Sequence, residues 1–210
     1  MTQMEKPWAV EDDCFAAGAV HVCGVDEAGA GPLMGPVYAA AVILPPHETI
    51  EGLNDSKALT EKQREALYEE IVRRALAWSV SRVEAAEIDD TDILSARIKA
   101  MQSAIDGLSI KPDLALIDGN RDRGKTAAIT APHTCLVGGD RKSVSIAAAS
   151  VLAKVSRDRY VTEVLDRIYP QYQFARHKGY GTKLHYAMLD QYGPCPQHRL
   201  TFLKKWEARR

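Results

Sequence analysis

His21-Val22-Cys23-Gly24-Val25-Asp26-Glu27-Ala28-Gly29-Ala30-Gly31-Pro32-Leu33-Met34-Gly35-Pro36 is the stretch on which the reading of this chain turns. Its first five residues form an apolar, alternating strand pattern, and the strand ends on two adjacent carboxylates. Such a pair repels itself and is costly to desolvate, so a positive partner must compensate it, and a divalent metal is the economical one. The glycine-rich run that follows allows a backbone to pass close to a ligand such as a nucleic-acid strand.

Outward from this segment, Val37 to Leu44 reads as a second buried strand stopped by Pro45-Pro46. Thr60 with Gln63 is a capping box, and Leu67 and Ile71 give an apolar face to a helix reaching about Arg74. Ala75 to Val83 reads as a third strand. Leu94, Ile98, Met101 and Ile105 mark a helix ending at Gly107, and Leu114 to Ile117 is a short buried strand that delivers Asp118. Residues 119–132 read as a loop before a strand near Cys135-Leu136-Val137. Ser143 to about Ile168 reads as one long packed helix closed by Pro170, and two short helices flank a break at Tyr192-Gly193-Pro194-Cys195-Pro196.

The 210 residues suit one domain, with no repeat or linker to mark a boundary. No apolar run approaches the roughly 20 residues of a membrane helix, and the first residues lack a secretory pattern, so the expectation is a cytoplasmic protein without a membrane association. Cys14, Cys23, Cys135 and Cys195 have no C-x-x-C spacing, which disfavours a zinc site or a disulfide framework. Net charge is only −1, yet its distribution is uneven: residues 1–120 carry 10 Lys/Arg against 21 Asp/Glu, and residues 121–210 carry 17 against 7. An acidic, metal-binding centre beside a basic, polyanion-binding face fits that division.

Asp26 with Glu27, Asp118, and Asp140 after Val137-Gly138-Gly139 are acids at strand ends. Carboxylates converging from separate strands suit Mg²⁺ or Mn²⁺, and two ions about 4 Å apart can bind the attacking water and the leaving oxygen of a phosphodiester. A different chemistry is written in Gly119-Asn120-Arg121-Asp122-Arg123-Gly124-Lys125-Thr126, which fits the P-loop pattern and follows a strand. A P-loop needs a helix whose N-terminus faces the phosphates, and here Pro132 comes too soon.

These motifs together resemble type 2 ribonuclease H, the ribonuclease HII family, from about Val20 to Phe202. The resemblance is carried by Gly24-Val25-Asp26-Glu27-Ala28-Gly29, Gly52-Leu53-Asn54-Asp55-Ser56-Lys57, Ile117-Asp118-Gly119, Gly139-Asp140, Ser145 to Val155, and His177-Lys178-Gly179-Tyr180-Gly181-Thr182. It implies an α/β, RNase H-like mixed sheet flanked by helices, with a small helical C-terminal extension and a short N-terminal one over residues 1–19. It implies Asp26, Glu27, Asp118 and Asp140 as catalytic metal ligands for two Mg²⁺ or Mn²⁺ ions. The implied substrates are RNA–DNA hybrids and duplex DNA containing single ribonucleotides, cut 5′ of the ribonucleotide to leave 3′-hydroxyl and 5′-phosphate ends. The implied role is removal of misincorporated ribonucleotides and RNA primers, by a monomer.

For substrate contacts the resemblance implies backbone amides of Gly29, Ala30 and Gly31 at the 2′-hydroxyl, the group that separates RNA from DNA. Lys57 and Lys178 are implied at phosphates, and Tyr180 on the following deoxyribose. Arg121, Arg123, Lys125, Arg141, Lys142, Lys154, Arg176, Lys178 and Lys183 supply positive charge for the backbone. Asp158 rivals Asp140 as fourth ligand, but its neighbours Arg157 and Arg159 point to ion pairing. One departure stands out: Ala30 occupies the position where the family has arginine in Gly-Arg-Gly. The HIII relatives also lack that arginine but carry a further N-terminal domain, whereas about twenty residues precede the motif here. Two other readings remain open on the sequence, a P-loop nucleotidase and a hybrid-binding protein without catalysis.

Overall fold

A computed structural model describes residues 7–53 and 59–209. The apolar run becomes β1 (Val22–Ala28), paired antiparallel with β2 (Val37–Ile43) and parallel with β4 (Leu114–Asp118). β2 pairs antiparallel with β3 (Ala77–Val83), and β4 pairs parallel with β5 (His133–Leu136), giving the order β3-β2-β1-β4-β5. The result is a mixed five-stranded sheet, and β1 lies at its centre. Asp26 and Glu27 fall inside β1 rather than beyond it, because the ladder with β2 continues to Ala28 opposite Tyr38.

Ahead of the sheet lies α1 (Ala9–Ala16). Its fully buried Glu11 accepts from the Ser143 hydroxyl at 2.6 Å and the Ser145 amide at 3.0 Å, at the start of α5 (Val144–Arg159). A carboxylate suits a helix N-terminus, where unsatisfied amides and the macrodipole present positive charge. α2 (Glu61–Arg74) opens on the expected box: the Thr60 amide donates to Gln63 at 2.9 Å, and Thr60 Oγ1 accepts from the Gln63 amide at 3.3 Å. β3 starts two residues later than the pattern suggests, since the Ala75 amide still closes α2 on the Ile71 carbonyl.

α3 (Ala85–Asp90) precedes α4 (Ile93–Asp106), which covers one face of the sheet through Ile98, Met101 and Ile105. α2 and α5 cover the other face through Leu67, Ile71 and the small residues Ala147, Ala148 and Ala149. The rod begun by α5 continues through a π-helical turn (Tyr160–Leu165) into α6 (Asp166–Ile168), so the long helix has its expected extent with one irregular turn inside it. α7 (Phe174–His177), α8 (Lys183–Tyr192) and α9 (Leu200–Glu207) complete the C-terminal part. Among the described residues no helix is long and apolar enough to cross a membrane.

Close packing of α5 on β1 rests on Gly24. A Cβ there would stand 2.0 Å from the Ser145 carbonyl carbon and 2.1 Å from the Ile146 amide nitrogen, both backbone atoms that cannot swing aside. Gly24→Ala is therefore expected to destabilise the protein by about 3 kcal/mol, the upper range for core overpacking. Denaturant unfolding measures this, and a loss below about 1 kcal/mol would show that α5 can shift freely.

Candidate active site

Four acids gather at one end of the sheet through three local devices. Parallel register sets Val25 beside Ile117, so the next residues, Asp26 and Asp118, emerge together from β1 and β4. Asp118 Oδ1 then accepts from the Gly139 amide at 2.6 Å, which fastens the buried turn holding Asp140 to the end of β4. Gly139 sits close against its surroundings: a Cβ would lie 2.5 Å from Ile146 Cδ1 and 3.2 Å from Asp118 Oδ1, so a side chain there would displace both. Strand alternation separates the neighbours Asp26 and Glu27: Asp26 is hydrogen-bonded by Ser150 of α5, while Glu27 pairs with Arg97 of α4.

Burial pushes the Asp26 carboxyl well above the ordinary carboxylate range, and repulsion from Glu27 and Asp118 adds to it. Burial also raises Glu27, against the pull of Arg97, with Asp118 raising it further. Glu27 Oε2 is buried and accepts no hydrogen bond among the described residues. A crowded, all-oxygen donor set with an orphaned carboxylate oxygen fits hard divalent cations, which prefer carboxylates and keep some water. Among the described residues, no three His, Cys, Asp or Glu side chains already surround one point as a metal cage. Glu27 is held by Arg97, and an oxygen of Asp118 by the Gly139 amide.

Beside the acids lies a cleft of about 320 Å³, lined by Ala28, Gly29, Arg64, Ser150, Lys154 and Tyr180. Gly29 has φ +88°, and a Cβ on it would lie 2.7 Å from Arg157 Nε, so this glycine serves the protein's own packing as well as any ligand's approach. Gly31 is different: its Cβ position faces open space, with nothing within 4 Å. Tyr180 is 42% exposed, and Lys154 Nζ and Arg157 Cζ both stand 5.7 Å from its ring centroid. Lys178 is bound internally, donating to Thr162 Oγ1 at 2.6 Å with Glu61 3.4 Å away. Lys57 lies outside the described residues.

Asp158 is ion-paired with Lys154 at 2.8 Å and Arg157 at 3.4 Å. Arg121, Arg123, Lys125, Arg141, Lys142, Arg176 and Lys183 are exposed. The P-loop pattern does not form a phosphate loop: no helix follows it, and Ser95 Oγ accepts the Lys125 and Thr126 amides at 2.9 and 3.2 Å. His177, His185 and His198 form a buried cluster under the Tyr180 segment, with His185 Nε2 3.0 Å from His198 Nε2. Sequence reasoning missed Arg97, Ser150 and Arg199. Arg97 and Arg199 carry no local pattern, and Ser150 is one small residue among many on α5.

Comparison with known proteins bears on this arrangement. The family model described as Ribonuclease HII matches residues 23–205. A ribonuclease HII of Caldicellulosiruptor bescii is 48% identical over 204 residues, spanning 97% of both chains. The crystal structure of the ribonuclease H2 from Pyrococcus horikoshii OT3 superposes with a TM-score of 0.74 at 29% identity, covering 90% of this chain and 98% of that one. The structure of Bst-RNase HIII in complex with Mn²⁺ matches at 18% identity with a TM-score of 0.55, covering 84% of this chain and 64% of that one, a likeness of fold alone.

Proposed function

The chain belongs to the ribonuclease HII family, and from that premise we propose that it cuts single ribonucleotides out of duplex DNA as well as cutting longer RNA–DNA hybrids. Membership makes it an endoribonuclease of the ribonuclease H type, acting on RNA–DNA hybrids and dependent on divalent metal. The finer reading is cleavage 5′ of the ribonucleotide, leaving 3′-hydroxyl and 5′-phosphate ends, with Asp26, Glu27, Asp118 and Asp140 holding two Mg²⁺ or Mn²⁺ ions. Bound there, such ions supply an activated water and charge stabilisation at the leaving oxygen. The observation that carries the reading is the juxtaposition of buried, mutually repelling carboxylates with an open glycine loop and an exposed tyrosine.

The chain's own residues divide the work. Ser150 orients Asp26, and Arg97 holds Glu27 against its neighbour's charge. Arg64 and Lys154 put positive charge at the cleft for phosphates, and Tyr180 offers a ring face to a sugar. Amides of the Gly29–Gly31 segment serve the 2′-hydroxyl, which deoxyribose lacks. The basic residues around the cleft suit the duplex flanking the cut.

The test uses two substrates, a duplex with one ribonucleotide and an RNA–DNA hybrid, each with Mg²⁺ and with Mn²⁺. Cutting of both, with 5′-phosphate ends, is the expected result; tight binding without any cut removes the enzymatic reading. Repeating the assay on Ala30→Arg is expected to improve the single-ribonucleotide substrate selectively. Equal effects on both substrates would separate position 30 from junction reading.

Arg97 also competes with any cation for Glu27. With side-chain exposures of 32% and 13% the pair lies between the exposed and the buried kinds, so releasing Glu27 costs on the order of 1 kcal/mol, the top of the range for exposed pairs. Arg97→Met is expected to bind Mn²⁺ about fivefold more tightly in calorimetric titration without substrate. Weaker binding would mean that Arg97 prepares Glu27 for the ion instead of withholding it.

A further inference from the structure

Arg199 is fully buried, and its side chain forms no ion pair among the described residues. Asp89, the acid whose charge acts on it, is occupied by the Leu200 and Thr201 amides at the start of α9. A guanidinium removed from water with no carboxylate is costly unless its donors are satisfied. Here they are satisfied by one loop: Nε donates to the Gly35 carbonyl at 2.9 Å, Nη1 to Ala30 at 3.0 Å and Pro32 at 2.9 Å, and Nη2 to Gly29 at 2.7 Å and Gly35 at 2.8 Å.

We propose that Arg199 is the positioning residue that sets the ribose-reading amides: by drawing the carbonyls of Gly29 and Ala30 inward, it turns the Ala30 and Gly31 amides toward the cleft. The inference rests on the ribonucleotide-reading role proposed above for this loop. In a planar trans peptide the carbonyl of one residue and the N–H of the next point in opposite directions. Carbonyls of Gly29 and Ala30 on Arg199 therefore aim the Ala30 and Gly31 amides away from it. The amide after Pro32, that of Leu33, is taken by the Gly179 carbonyl at 2.9 Å, and Pro32 itself has no N–H. Two adjacent donors remain, on a stretch where Gly31 has open space at its Cβ position. A cation on their carbonyls also polarises the peptide groups and strengthens both amides as donors.

The same stitching ties this pair to Tyr180. Gly179, which precedes Tyr180, holds Leu33, while the Arg199 amide donates to the Leu33 carbonyl at 2.9 Å and the Gly35 amide to the Gln197 carbonyl at 2.8 Å. His185 Nδ1 lies 3.0 Å from the Tyr180 carbonyl on the far side. Amide pair and aromatic ring are thus parts of one framework with Arg199 at its centre.

Arg199→Lys keeps the charge but offers three donors in place of five in a fixed fork. Binding is measured without divalent metal, for a duplex with one ribonucleotide and the same duplex with a deoxynucleotide at that site. The wild type is expected to prefer the ribonucleotide duplex, and Arg199→Lys to lose about tenfold of that preference, as expected from weakening two hydrogen bonds. Ile71→Ala, a core truncation in α2 whose hydrophobic cluster contains no residue of the Gly29–Gly35 loop, is expected to lower the melting temperature and leave the preference intact. A folded Arg199→Lys with the wild-type preference overturns the positioning role alone; a wild type without any preference overturns the ribose-reading proposal beneath it. Should Arg199→Lys fail to fold, amide resonances of the wild type decide: Ala30 and Gly31 must respond more to the ribonucleotide duplex than to its deoxy counterpart, and equal responses overturn the ribose-reading proposal and the positioning role that rests on it.

Discussion

Asp26→Asn is expected to lower the rate of hybrid cleavage by about 10³-fold or more, since preorganised charge and metal ligation at a reacting phosphate are each worth several kcal/mol. The substitution is nearly isosteric. Asn keeps an oxygen that can accept from the Glu27 amide, which Asp26 Oδ1 now does at 2.7 Å, so the strand end should hold its shape. Only the charge is lost. Hybrid affinity measured by fluorescence anisotropy should then be unchanged or slightly tighter, because one negative charge near the phosphates is gone. Single-turnover cleavage at saturating Mg²⁺ gives the rate, and a wild-type value would remove Asp26 from the centre.

That inactive variant is also expected to be the more stable protein at pH 8 in the absence of divalent metal. Asp26 is raised by burial and by its acidic neighbours, so the folded state retains a proton that the unfolded chain has released above the ordinary value near 4. Stability of the metal-free protein therefore falls, on this account, as pH rises from about 4 through the raised value. His185 and His198, both pulled down to about 4 by burial, act in the opposite sense between that value and about 6.5. Their contribution is common to wild type and variant and cancels in the difference between the two. The difference should grow with pH in favour of Asp26→Asn. Addition of Mn²⁺ at a hundred times its Kd should stabilise the wild type by about 2.7 kcal/mol at pH 8, and the variant far less. Urea unfolding at pH 5 and pH 8, with and without Mn²⁺, checks all of this; a wild type more stable than the variant at pH 8 without metal would contradict the burial argument.

Elements with a strong repeating signal or a cap were readable in the sequence. The alternation into Asp26, the box at Thr60 and Gln63, the apolar face through Ile98 and Met101, and the long helix after Ser143 all correspond to elements in the structure. α1 and α3 were not anticipated, because eight and six residues make too few turns for a periodic face to stand out. The convergence of acids was readable because strand ends deliver side chains to a common edge. Which face each acid takes was not, since that depends on where Ser150 and Arg97 sit in helices that pack later. Arg199 was least legible of all: the carbonyls it gathers are backbone atoms more than 160 residues away, and backbone atoms leave no side-chain signature.

The same long separation sets an order of assembly on the ribosome. Chains fold from the N-terminal side as they are made, and all four acids have emerged once Asp140 has left the tunnel. Glu11 then waits for Ser143 and Ser145 to meet it, and the Gly29–Gly35 loop waits for Arg199. A nascent chain that has passed the first milestone but not the second holds the four acids without the contacts that fix the Gly29–Gly35 loop. Fixing of that loop is therefore a late step in the synthesis of this protein, later than the emergence of its acids.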